Sequence, residues 1–126
     1  MAVIAVTIDR NVSNNNGVVA FTWTPLTFTG LDSGAAVRFA DYSDKTFQVL
    51  GTFGASGAIV FEGSNDGTNW ATLSNRQGSV TAVTAAGLFT SQDRAIWVRP
   101  RVTAGDATTS LTVVCAAHRT DLSGPG

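Results

Sequence analysis

The residue types that carry most enzyme chemistry are nearly missing from these 126 residues, which hold one cysteine, one histidine, one lysine and one glutamate. A lone Cys115 excludes an intrachain disulfide and leaves the redox compartment open. Even a catalytic zinc site takes three protein ligands, more soft donors than His118 and Cys115 supply. These two stand three apart on an expected strand, so they point to opposite faces and cannot form a nucleophile–base pair. Charge is scarce too: 13% of residues are charged and the net charge is −1, so no field steers the chain to nucleic acid or an anionic membrane. The apolar start "MAVIAVTIDR" has no positive leader and stops at Asp9-Arg10, far short of a bilayer span. The expectation is a soluble chain without an N-terminal export signal, with no nucleic-acid and no membrane partner. No window of eleven or more residues keeps a 3.6-residue apolar spacing without Gly or Pro breaking it, which argues against helices.

What is present favours strands. Thr occurs seventeen times, and Val, Phe and Thr dominate the longer runs. Period-2 alternation recurs: Phe47, Val49, Gly51 and Phe53 share one face, as do Ile96, Val98, Pro100 and Val102, and then Leu111, Val113, Cys115 and Ala117. Strands are expected near 2–9, 17–24, 34–40, 45–53, 57–63, 69–73, 80–84, 87–90, 94–103 and 108–118. Turn signals separate them at "NNNG", "DSG", "GASG", "NDG" and "AGD". The pattern predicts an all-β, single-domain β-sandwich, jelly-roll-like or Greek-key, over residues 1–118 with a flexible tail at 119–126. A chain of this length buries enough surface to need no staples. The last two strands read as a hairpin through "AGDATT". Pro100 cannot donate to a ladder, which places its strand at a sheet edge or a bulge. Residues 9–34, with Trp23, Pro25 and Phe28, either fold over the core or form an extended arm held by a neighbour.

"IVFEGSNDGTNWATL" at 59–73 is the most distinctive stretch. Asp66 stands alone and no Glu follows it, so a Ca²⁺ loop is poorly supported. Asp-Gly between alternating runs predicts a hairpin turn, with Asn65 and Asn69 closing Asx-turns, Asp66 and Gly67 at the bend, and Trp70 capping the core end. The glycines of "GTFGASG" match no dinucleotide fingerprint and read as a hairpin corner. The eight Asp residues are scattered through turns, and nothing favours a paired-carboxylate glycosidase. Catalytic, cofactor and metal residues are all expected to be absent. On the wetter face of 94–103, Trp97, Arg99 and Arg101 line up. They form either a local ladder with an Asp or Glu62, or a contact with a partner, since Trp and Arg favour interface centres.

The order "ADYSDKTFQVLGTFG", "IVFEGSNDGTNWATL", "IWVRPRVTAGDATTSLTVV" resembles small virion structural proteins of tailed bacteriophages, over about residues 40 to 115. The resemblance implies a non-enzymatic head decoration (cement) protein that acts as a homo-oligomer, with a trimer favoured. Its partner would be the major capsid protein, its location the capsid surface, and its site of synthesis the host cytoplasm. Residues 1–34 are then the candidate arm, and Trp23, Phe28, Trp97, Arg99 and Arg101 the candidate contacts. A tail, baseplate or fibre-associated protein would use the same sandwich. "SNDGTNW" also occurs in discoidin-like carbohydrate-binding sandwiches, which keeps a glycan module stacking sugars on Trp70 or Trp97 as an alternative.

Overall fold

A computed structural model describes residues 3–10, 18–39, 44–74, 82–91 and 95–118. Strands β1 (Val3–Ile4), β2 (Val6–Asp9), β3 (Val18–Thr27), β4 (Ser33–Gly34) and β5 (Val37–Arg38) come first. They are followed by β6 (Asp44–Thr52), β7 (Ala58–Ser64), β8 (Ala71–Thr72), β9 (Gly87–Ser91), β10 (Trp97–Ala104) and β11 (Ser110–His118). The described residues hold no helix. The strands form two sheets, β1-β4-β10-β7-β8 with β5 also on β10, and β2-β3-β11-β6-β9. This is the expected all-β sandwich, jelly-roll-like in the way its chain alternates between sheets.

Alternation decides which side chains meet between the sheets. In β6 Phe47 and Val49 are buried, and in β11 Leu111, Val113, Cys115 and Ala117 are fully so. Val98 and Val102 do the same from β10. Phe47 stacks on Phe61 of the opposite sheet with centroids 3.9 Å apart, and Phe21 meets Phe39 edge-on at 5.1 Å. Each buried Val, Leu or Phe among them contributes about 1.5–3 kcal/mol relative to exposure.

Four expectations are corrected. First, β10 and β11 form no hairpin: β10 lies central in the first sheet and β11 central in the second, so "AGDATT" carries the chain across the core. Second, "GASG" is likewise a crossing, from β6 to β7, and not a hairpin corner. Asp106 fastens these two crossings together. Ala55 N donates to its Oδ2 at 2.8 Å, Thr108 N and Oγ1 donate to its Oδ1, and Thr109 Oγ1 donates to Phe53 O at 2.7 Å. These bonds to the charged carboxylate, led by the Thr108 hydroxyl, hold its pKa down at about 2.

Third, Pro100 lies on a central strand, away from the one irregularity of its ladder, between Val102 and Ala104. Val102 N donates to Asp32 O, so the even-numbered amides of β10 face β4 and β5. Pro100 therefore turns its missing donor toward the junction of those two short strands, where its ring packs on Gly34. Fourth, residues 18–34 are no arm. β3 pairs with both β2 and β11, and β4 with β10. Residues 11–17 of that expectation, residues 80 and 81 of the strand expected at 80–84 and the tail at 119–126 lie outside the described residues; of 82–84, Val83 alone makes an isolated bridge, to Ile59.

Candidate interaction surface

The outer face of the first sheet gathers the polar and aromatic residues singled out from the sequence. Trp97, Arg99 and Arg101 alternate with the buried Val98, Pro100 and Val102 along β10, so they all point outward. Arg99 faces Glu62 directly across the β7 ladder. Arg99 Nε donates to Glu62 Oε1 at 3.0 Å and Arg101 Nε to Oε2 at 2.9 Å. One carboxylate thus holds two guanidiniums, each on its own oxygen, and its side chain is only 8% exposed beneath them. The local ladder with Glu62 is what forms.

Trp70 completes the layer. Arg99 Cζ lies 4.1 Å above its ring centroid, so the indole sits on the sheet's outer face and does not cap the core, correcting the sequence reading. Trp70 also precedes the return strand β8, which pairs through Ala71 and Thr72 with Gly63 and Glu62. Arg38, which the sequence reading missed, faces Trp97 across the β5–β10 pair, its Cζ 5.9 Å from that ring. The alternation of Val37 with Arg38 was the available signal. Among the described residues, Arg38, Arg99 and Arg101 outnumber the carboxylates of Glu62 and of Asp66 in the loop above, which tilts this patch to positive within a chain of net charge −1.

The loop above the patch is a turn, as expected, but a different side chain organises it. Asp66 Oδ1 accepts Thr68 N and Asn69 N, each at 2.8 Å, and Ser64 Oγ at 2.9 Å. Asn69 Nδ2 donates to its other oxygen. Those bonds, the Asn69 amide first, push the Asp66 pKa far below the usual carboxylate range. Asn65 closes no turn; its Oδ1 accepts Ile96 N at 3.0 Å, pinning the loop to the start of β10. Gly67 takes the left-handed conformation at φ 75°, close above the Trp97 indole.

Two candidate contact residues lie elsewhere. Trp23 has no exposed surface; it shares the inner face of β3 with Val19 and Phe21 and donates from Nε1 to Ala35 O at 2.9 Å. It is a core residue and unavailable to a partner, which corrects its assignment. Phe28 is half-buried against the core, apart from the Arg–Trp patch. Burial pushes the Cys115 thiol pKa well up, leaving a poor nucleophile.

Fold and surface together define a jelly-roll-like β-sandwich with an ordered arginine–tryptophan layer on one sheet. No protein-family model and no curated protein sequence matches the chain. Among solved structures, the SPBc2 prophage-derived protein YomS is similar with a TM-score of 0.52 and 13% identity, over 79% of this chain and 93% of that one. A cupin domain from Bordetella pertussis gives 0.49 at 11% identity, over 96% and 99% of the two chains. Recombinant oxalate oxidase gives 0.48 at 14%, over 92% of this chain and 51% of its own. At such identities the likeness is one of fold.

Proposed function

We propose that the chain is a non-enzymatic structural protein of a tailed-phage virion, a head decoration protein that binds the outer capsid surface and stabilises the shell. The arginine–tryptophan layer carries this reading. Glu62 fixes two guanidiniums in place before any partner arrives, so little side-chain freedom is lost on contact. Arg and Trp are the residues on which interface energy concentrates, and a net positive patch fits an acidic region of the major capsid protein. The order of motifs along residues 40–115 and the prophage origin of YomS support the phage setting. The non-enzymatic part rests on Glu62 being bound by two arginines, on the buried thiol of Cys115, and on the described residues gathering no three His, Cys, Asp or Glu side chains. The protein is made in the host cytoplasm and ends on the capsid.

The test is the copy number per purified particle, by quantitative mass spectrometry against the major capsid protein. A fixed high ratio is expected. A few copies would move the protein to the tail or baseplate, and absence from the particle would sink the virion reading. Arg99→Ala should also weaken binding to undecorated shells at least about tenfold, as loss of a central arginine does.

A further inference from the structure

The outer face of the second sheet differs from that of the first. β11, β6 up to Leu50 and β3 up to Thr24 alternate, the pattern breaking at the exposed Thr24–Pro25 pair opposite the register shift of β11, so the residues between the buried ones project to this side: Thr22, Thr112, Val114, Gln48 and Leu50 meet across adjacent ladders. Leu88 of β9, opposite Gln48, adds a side chain that is 73% exposed, and Leu50 is 40% exposed. Among the described side chains of this face, ionisable groups occur only at Asp9 on the edge strand and at His118 at the end of β11. Solvated sheet faces ordinarily carry charge, which keeps them from adhering; this one has none at its centre.

We infer that this face is where two copies of the chain pack against each other about a two-fold axis. Three observations select a second copy as occupant. With no charge at its centre, the face meets an identical face without repulsion there. Its polar side chains are hydroxyls and an amide, each both donor and acceptor, so like can pair with like, as Thr24 Oγ1 and Thr112 Oγ1 already do within the chain at 2.7 Å. The area also suffices. Central strands of 9 or 10 residues and edge strands of 4 or 5 cover roughly 600 Å² at about 3.4 Å per residue and 4.8 Å between strands. Two faces then bury roughly 1,200 Å², the lower end of the range for stable complexes. The pair is two-fold, in place of the trimer that the phage resemblance implies, and it leaves each arginine–tryptophan patch uncovered. It holds whether or not the chain binds a shell.

The test is sedimentation equilibrium of the full chain at micromolar concentration, for the wild type, Gln48→Lys, Leu88→Lys and Arg101→Ala. The wild type is expected at twice the 13.1 kDa chain mass. Either lysine should raise the dissociation constant at least about tenfold, because each charge faces its own symmetry mate's sheet. Both positions are exposed, so circular dichroism and the unfolding midpoint should match the wild type, and Arg101→Ala should keep the wild-type mass. A wild-type mass of one or three chains overturns the inference. So does a folded Leu88→Lys and Gln48→Lys pair that both keep the wild-type mass, or dissociation caused by Arg101→Ala instead.

Discussion

At the scale of single residues, Glu62 and Gly34 hold positions that their neighbours constrain closely. Glu62 is a nearly buried carboxylate whose two oxygens are shared between Arg99 and Arg101. Glu62→Ala leaves those guanidiniums crowded together without their common partner, and should cost about 2–3 kcal/mol. Denaturant unfolding reads this as a lower midpoint with an unchanged slope. Gly34 leaves room where the two sheets approach: an added Cβ would fall 2.6 Å from Trp23 Nε1 and 2.7 Å from Pro100 Cδ. Gly34→Ala should therefore destabilise by about 1–3 kcal/mol, the usual cost of overpacking, and a thermal melt would show it. Much of this scale was legible in the sequence. The alternation of Trp97, Arg99 and Arg101 already put them on one outward face, and Glu62 was in view as their partner. Trp23 was misplaced although Val19, Phe21 and Trp23 alternate in the same way; the Asn-rich stretch before them suggested an arm.

At the scale of elements, turn signals and sheet membership are separate questions. "AGDATT" and "GASG" both mark a change of direction, and local sequence writes that the same way whether the flanking strands pair or face each other across the core. What distinguishes them here is non-local, the capture of Ala55 N by Asp106 from 51 residues away. Asp106→Ala should loosen both crossings at once and lower the unfolding midpoint. The carboxylate's pKa falls from 3.8 to about 2 on folding, so its contribution is fully present above pH 3.8 and is lost as pH falls toward 2. The midpoint gap between wild type and Asp106→Ala should thus be wide at pH 7 and close near pH 2. At the other loop, Gly67→Val places a β-branched residue at positive φ, which is strained whatever the space around it. Loss of hydrogen-exchange protection confined to residues 65–72, with the core strands unchanged, is the expected signature.

At the scale of the whole molecule, the two sheets present surfaces of opposite character, one basic and aromatic, the other without charge at its centre and rich in threonine. Copy number in the particle tests the first and chain mass in solution the second, so either can fail without the other. Strand order adds a constraint in time. β10 lies between β4 and β7, and β11 between β3 and β6, yet these two strands leave the ribosome after every other described strand. Until they emerge, β3, β4, β5, β6 and β7 each lack a neighbour, and neither sheet can close. The sandwich is thus completed only once its last two described strands have emerged, and a nascent chain stalled before Trp97 leaves five strands with an unpaired edge.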